Sequence, residues 1–242
     1  RQFVDGGWGN IIAPPEYGGQ GLPHLLSTPV EEMWGSANIA FKLCPMLTLG
    51  AVEALHRNAS EELKKRFLPN MVSGKWTGTM NLTEPQAGSD LNAIATRAEP
   101  ASDGTYRITG TKIYISYGDH DLTENIIHLV LARTPDAAPG TKGLSLFIIP
   151  KIWVNGDGTL GESNDVYCSN IEKKMGIHGS PTCSLVFGQN GKCRGYLLGQ
   201  EQQGMKLMFF MMNGARVEVG LQGSAAAAGA YQAALTYAKE RL

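Results

Sequence analysis

A run of nearly 40 residues at the end of the chain, Gly204 to Leu242, has helical spacing and contains no proline. Helices of globular proteins usually run to roughly 20 residues, so a helix of this length needs packing partners. Its opening segment, residues 205–212, is almost entirely apolar. We therefore expect its first turns to be buried on most sides. The rest of the chain supplies few partners for such a helix.

Residues 1–74 predict a loop followed by helices. The glycine- and proline-rich stretch at 13–21 is typical of a loop. Helical spacing then begins at Ser27, is expected to break at Cys44-Pro45, and resumes to Arg57. Ser60, followed by two glutamates, predicts the N-cap of another helix.

Residues 75–203 predict β structure. Alternation, β-branching or continuous apolar character marks four strands, at Tyr106–Ser116, Ile126–Ala132, Leu144–Pro150 and Ser184–Phe187. Short strands joined by glycine-rich turns predict an antiparallel barrel or sandwich. The expected fold class is therefore α+β, with a helical domain at 1–74, a middle β domain at 75–203 and a long helix at 204–242 that opens a second helical domain.

Composition excludes several classes of function. The net charge is −1, from 21 basic and 22 acidic residues, so no electrostatic grip on nucleic acid is indicated. The four cysteines form no CxxC pair, so neither a zinc site nor a disulfide framework is expected. The sequence contains no run of about 18 uninterrupted apolar residues, so no membrane-spanning helix is expected. The chain begins at Arg1 and ends within a helical pattern, so we expect truncation at both ends, which leaves targeting signals undetermined.

The stretch Met80–Asp90, MNLTEPQAGSD, carries the strongest chemical signal. Gly88 lets the backbone approach a ligand, because no Cβ intervenes. The hydroxyl of Ser89 can donate to a phosphate, and that of Thr83 to the edge of a heteroaromatic ring. The alternative is a tight turn between strands in which serine and aspartate act only as caps.

This stretch resembles the TEPxAGSD signature of acyl-CoA dehydrogenases. Three further segments resemble that family in the same order: a flavin strand at Gly110–Ser116, a K-x-G segment at Lys174–Ser180, and the entry to a long helix at Leu198–Met205. The resemblance covers essentially the whole chain. Residues 118–125 and 177–182 are similar to a bacterial subgroup that includes 3-methylthiopropionyl-CoA dehydrogenases.

The resemblance implies FAD as cofactor and an acyl-CoA as substrate. The implied FAD-binding residues are Met80, Leu82, Thr83, Gly88, Ser89, Tyr114 and Ser116, and the implied substrate-binding residues are Ser89 and His178. Tyr114 is expected beside the flavin ring and Ser116 near its N5, where a donor stabilises charge on the ring. The alternatives are a core aromatic for Tyr114 and a satisfied strand hydroxyl for Ser116.

The reaction implied by the resemblance is removal of the α proton of an acyl-CoA by a carboxylate, with transfer of the β hydride to flavin N5. Ala215 occupies one of the two places where the family carries its base, so no catalytic residue is assigned and the base is expected beyond Leu242. Arg216 either supports the active site or forms a buried ion pair. Glu84 is interpreted as structural, and Glu218 lies on another helix face. We expect the chain alone to bind FAD weakly and to lack turnover.

The sequence Asp119-His120-Asp121 has the composition of a metal site, but adjacent side chains point apart, so a solvated turn is favoured over a metal. The resemblance also implies the partners: an electron-transferring flavoprotein and further copies of the chain, as a dimer or tetramer, in the bacterial cytoplasm. No nucleic acid and no membrane span are expected. Two alternatives stay open: an acyl-CoA oxidase, and a DNA-binding relative of the alkylation-response type.

Overall fold

The structure is a computed structural model that describes residues 1–241. Its α-helices are α1 Gln2–Asp5, α2 His24–Ala37, α3 Ile39–Asn58, α4 Glu61–Val72 and α5 Gly204–Glu240. Its strands are β1 Trp76–Asn81, β2 Arg97–Pro100, β3 Tyr106–Ser116, β4 Asn125–Arg133, β5 Leu144–Pro150, β6 Ile152–Val154, β7 Leu160–Ser163, β8 Val166–Ile171, β9 Thr182–Phe187 and β10 Arg194–Leu198. The order of helices, then strands, then one long helix confirms the expected α+β class.

The break between α2 and α3 lies at Asn38, so the prediction of a break at Cys44-Pro45 is wrong. Asn38 is extended, and its side chain accepts a hydrogen bond from the backbone N–H of Phe41 at 3.0 Å, which starts α3. Pro45 lies inside α3. The helix continues past this proline because its buried face packs on β1 and α5, and that packing offsets the lost backbone hydrogen bond.

The main sheet has the strand order β1-β4-β5-β10-β3-β9-β8, and β2 pairs with both β3 and β4. These pairings close β4, β5, β10, β3 and β2 into a ring, which gives the β domain a barrel-like interior. Most neighbours are antiparallel, as expected, but β1 runs parallel to β4, and β2 meets β4 in parallel at Arg97 and Arg133. Neighbouring residues of β4 belong to two separate hydrophobic cores. Leu129 packs in the core between the sheet and the helices, and Val130 packs in the core inside the ring.

The long helix α5 is buried along one side of its first turns, through Leu207, Met208 and Met211. Further along it packs on α2, where the Ser36 hydroxyl donates to the carbonyl of Ala225 at 2.8 Å. The remainder of its surface is exposed, and Val217 is 74% exposed. The prediction that the first turns are buried on most sides is wrong, because Lys206 and Phe209 within those turns are exposed.

Within residues 1–241, α3 is the one helix long and apolar enough to cross a membrane by length and composition. Half of that apolar window is buried inside the protein, where α3 packs against β1 and α5. We interpret α3 as a core helix on these contacts.

Candidate functional site

The segment Leu82–Glu84, which follows β1, is attached directly to β3. The backbone N–H of Ile113 donates to the carbonyl of Thr83 at 2.9 Å. One residue earlier on β3, the ammonium group of Lys112 donates to the carbonyl of Leu82 at 2.9 Å and to Glu84 Oε1 at 2.8 Å. The start of the signature segment therefore lies against the middle of β3, joined to it by one backbone hydrogen bond and by the contacts of Lys112.

Glu84 is a buried structural anchor, as the sequence predicted. Its carboxylate accepts hydrogen bonds from the backbone of Ala95 at 2.8 Å and from the hydroxyl of Thr96 at 2.6 Å. Burial opposes its ionisation, but Lys112 and these hydrogen bonds outweigh burial and hold the pKa of Glu84 below its ordinary value. Burial also lowers the pKa of Lys112, to about 8, against the pull of Glu84. Their close contact and the hydrogen bonds to Glu84 favour the charged form of each group.

A bulge in β3 turns Tyr114 outward. The register against β9 shifts between Lys112 and Ile115, and Tyr114 has φ of 59°. A side chain seldom adopts this left-handed conformation, and such strain is concentrated at functional sites. The ring of Tyr114 is 61% exposed, so it is no core aromatic. Ser116 follows on the same strand, paired with Thr182 of β9.

Gly88 and Ser89 are exposed at the end of the signature segment. A Cβ built on Gly88 would meet no atom within 4 Å, and its φ is not in the left-handed region. Nothing inside the chain therefore requires glycine at this position. A side chain there would obstruct only the space outside the backbone, which is the space that a ligand would occupy.

The beginning of α3 and the loop before β9 meet at the end of β3. The buried Tyr117 has φ of 52°, and its hydroxyl lies 2.6 Å from the carbonyl of Ala40 and 3.4 Å from that of Gly179. Met80 packs against the apolar cluster that contains Tyr117. His178, beside Gly179, is exposed. The structure thus brings the loop of His178 to the same end of β3 as Ser116.

The candidate residues of α5 lie elsewhere. Arg216 is exposed, with its guanidinium 5.3 Å from the centre of the Phe209 ring, so the buried ion pair weighed for it is not observed. Ala215 and Glu218 line a cavity of about 420 Å³ between α3 and α5. Glu218 is bound by Lys42 at 2.7 Å.

Two buried groups escaped the sequence interpretation. Lys42 is fully buried between Glu218 and Glu31, which lies 3.5 Å away. Lys112, within the segment Gly110–Ser116, is also fully buried. Neither position carries a local signal for burial, because lysine is seldom buried and the paired glutamates, Glu218 and Glu84, come from other segments of the chain.

His120 and His128 each have a ring nitrogen within hydrogen-bonding distance of a threonine hydroxyl. His120 Nε2 lies 3.1 Å from the hydroxyl of Thr77, so His120 is partly enclosed rather than fully solvated, and Asp119 pairs with Lys151. His128 is fully buried, and its Nδ1 lies 2.7 Å from the hydroxyl of Thr79. Its place inside an apolar strand was the available sequence signal for a neutral core histidine.

The comparisons with known proteins agree with this geometry. The family description "Acyl-CoA dehydrogenase, N-terminal domain" matches residues 1–75, and "Acyl-CoA dehydrogenase, middle domain" matches residues 79–189. The chain is 48% identical over 241 residues to 3-methylmercaptopropionyl-CoA dehydrogenase of Ruegeria pomeroyi, covering 100% of the chain and 40% of that protein. It is 50% identical over 227 residues to a butyryl-CoA dehydrogenase of Syntrophomonas wolfei, covering 91% and 37%.

Among solved structures, an acyl-CoA dehydrogenase from Bacillus anthracis described as complexed with FAD is similar with a TM-score of 0.83 and 26% identity. That match covers 100% of the chain and 39% of the other protein. The chain thus spans about 40% of the length of the curated relative from Ruegeria. Since two domain descriptions of one family match most of its length, the chain belongs to the acyl-CoA dehydrogenase family.

Proposed function

We propose that these residues form the flavin-binding region, and part of the acyl-CoA-binding region, of an FAD-dependent acyl-CoA dehydrogenase. The reaction is the oxidation of an acyl-CoA thioester to a trans-2-enoyl-CoA. One observation carries the proposal: the signature segment is hydrogen-bonded to β3 where the strained Tyr114 presents its ring to solvent. An exposed aromatic ring on a strand whose neighbouring segments carry the hydroxyls of Thr83 and Ser116 suits a flat heteroaromatic ligand.

The residues present fit FAD. Tyr114 offers an aromatic surface, and the chain leaves the space outside Gly88 open. FAD, when bound, accepts the hydride released from the substrate β carbon. The relative from Bacillus anthracis, described as a complex with FAD, supports this choice of cofactor.

Each site residue has a distinct proposed task. Met80, Leu82 and Thr83 contact the ring system, and Tyr114 packs beside it. The hydroxyl of Ser116 donates toward its N5 edge, where negative charge develops.

The remaining contacts serve the diphosphate and the substrate. Gly88 and Ser89 line the diphosphate and the entrance for acyl-CoA. His178, on an exposed loop, contacts the substrate.

Within residues 1–241 we assign no catalytic base. Glu84 is saturated with hydrogen bonds, and Glu218 is bound by Lys42. Ala215 has no group that takes a proton. Arg216 is proposed in a supporting role, since it is exposed on α5 without a buried partner of opposite charge.

The proposed partners follow from the family. The substrate is an acyl-CoA, the electron acceptor is an electron-transferring flavoprotein, and the protein is a cytoplasmic bacterial homo-oligomer. The relatives reported above are named as dehydrogenases, and nothing in the described residues favours an oxidase or a DNA-binding protein. The division into domains at residues 74 and 203 is part of the same proposal.

The test uses the protein expressed from its complete reading frame. We expect it to bind FAD, with flavin absorbance in the visible, and to reduce an artificial electron acceptor with an acyl-CoA. Gly88→Val is expected to raise the FAD dissociation constant about tenfold, because the valine fills the ligand space. Gly156→Val is the matched control, since its Cβ also meets open space but lies between β6 and β7. Absence of FAD binding, or unchanged binding in Gly88→Val, would contradict the proposal.

A further inference from the structure

Lys112 is the most deeply buried charged group next to the proposed flavin site, and no task has been assigned to it so far. Its side chain is fully buried, and its ammonium group reaches the carbonyl of Leu82 and the carboxylate of Glu84. Resting on the proposed function, we infer that Lys112 is a positioning residue for the flavin. It sets the distance between the signature segment and the platform formed by Tyr114 and Ser116.

The contacts of Lys112 have no simple substitute. A buried charge is tolerated only where it is paired and hydrogen-bonded, and removal of one partner leaves the other uncompensated. If Lys112 moved, Glu84 would lose its cation while still held by Thr96. The carbonyl of Leu82 would lose its ammonium donor. Lys112 therefore fixes the signature segment at Leu82 and at Glu84, on either side of Thr83.

The bulge explains how one short segment performs two tasks. Residues two apart on a strand normally face the same side. Lys112 and Tyr114 are two apart, but the left-handed φ of Tyr114 turns its ring outward, whereas Lys112 points inward. The inward side chain anchors the signature segment, and the outward ring belongs to the ligand surface. A shift of Lys112 therefore moves both groups that hold the flavin.

A purely structural ion pair would have a different effect. Its loss would lower the free energy of unfolding and leave the environment of the bound ring unchanged. A positioning role changes the flavin itself: its affinity, and the position of its visible absorption bands, which report the polarity and hydrogen bonding around the ring.

The experiment compares Lys112→Met with Lys42→Met in the protein expressed from its complete reading frame. Both lysines are fully buried and bound to a glutamate, at 2.8 Å for Lys112 and 2.7 Å for Lys42, but Lys42 lies between α2, α3 and α5. We expect Lys112→Met to raise the FAD dissociation constant about tenfold and to shift the visible bands. Lys42→Met is expected to leave both unchanged.

A folded Lys112→Met protein with wild-type FAD affinity and wild-type flavin bands would overturn the inference while leaving the proposed function intact. If wild-type protein binds no FAD, the proposed function fails first, and the inference falls with it. If Lys112→Met does not fold, Glu84→Gln decides, because it keeps one acceptor oxygen for Lys112 and Thr96 and removes the negative charge, while its amide nitrogen replaces the oxygen that accepts from Ala95 and Gln86. A shift of the flavin bands in Glu84→Gln supports the inference, and unchanged bands with unchanged affinity overturn it.

Discussion

The backbone N–H of Ile113 donates a hydrogen bond to the carbonyl of Thr83 at 2.9 Å, although the two residues belong to separate segments. Because Ile113 immediately precedes the strained Tyr114, this bond joins the signature segment to the bulge of β3. The two halves of the proposed flavin site therefore form one rigid unit. Substitutions in either half should act on the same ligand.

Ser89→Ala should weaken binding of FAD or acyl-CoA without loss of stability. Ser89 is exposed, so its replacement removes a hydroxyl donor to the ligand and no packing. We expect a loss on the order of 1 kcal/mol, measured as flavin retention and KM in the complete protein. Ser102→Ala, in the exposed turn between β2 and β3, is the control. Equal flavin content and equal KM in Ser89→Ala and wild type would refute the role of Ser89.

Tyr114→Gly should separate stability from ligand affinity. The left-handed backbone of Tyr114 costs roughly 1–2 kcal/mol, and glycine relieves it while losing about 0.4–1 kcal/mol through the entropy of the unfolded chain. We therefore expect denaturation in urea to show an unfolding free energy unchanged or raised by about 1 kcal/mol, while FAD binds more weakly.

Tyr117 provides the contrast for that experiment. It is also left-handed, but it is buried and its hydroxyl contacts the carbonyl of Ala40. Tyr117→Gly should cost about 3 kcal/mol or more. Loss of stability in Tyr114→Gly comparable to that in Tyr117→Gly would show that the ring of Tyr114 serves the fold rather than a ligand.

Local patterns predicted four of the ten strands within residues 1–241, and the six that they missed include β1 and the short strands β2, β6, β7, β8 and β10. The strands Tyr106–Ser116 and Leu144–Pro150 have the bounds that alternation and apolar runs indicated. Each side chain of a strand faces either the core or the solvent, and the sequence pattern reflects that choice residue by residue. The exposure of Tyr114 was expected from the motif but not from the alternation of the strand. The bulge that exposes it depends on the register between β3 and β9, which the sequence of β3 alone does not contain. Pro45 misled the prediction, because the packing that sustains α3 comes from β1 and α5.

Buried lysines were beyond local reasoning. Whether Lys112 is buried depends on Glu84, which approaches from another segment, and Lys42 depends on Glu218 of the distant α5. A lysine pattern alone predicts a solvent-facing side chain. Such ion pairs are recognised only when the tertiary contacts are known.

Glu31→Gln should stabilise the protein more at pH 8 than at pH 4. Burial and the nearby Glu218 raise the pKa of Glu31, against the attraction of Lys42. Between the ordinary and the raised pKa, the unfolded chain has released a proton that the folded protein keeps, so stability falls as pH rises. Glutamine never ionises, so the variant gains on wild type as pH increases.

Urea denaturation of Glu31→Gln and Glu218→Gln at the two pH values tests this. Glu218 makes the closer contact with Lys42, at 2.7 Å against 3.5 Å for Glu31, so its loss should destabilise the protein at pH 8. If the unfolding free energy of Glu31→Gln differs from that of wild type by the same amount at pH 4 and pH 8, the pKa of Glu31 is not raised by folding, and the prediction is contradicted.

His128→Gln should flatten the loss of stability in acid. Burial lowers the pKa of His128 to about 3, with smaller contributions from Lys151 and His120. Below the ordinary value of 6.5 the unfolded chain gains a proton that the folded protein refuses, so stability declines until the pH approaches 3. Each pH unit within this window costs up to about 1.4 kcal/mol from this one group. Glutamine keeps an acceptor for Thr79 and does not titrate. Unfolding free energies measured between pH 7 and pH 4.5 should therefore fall less steeply in His128→Gln than in wild type. The exposed control, His178→Gln, should follow wild type. Parallel curves for all three proteins would show that another group causes the acid sensitivity.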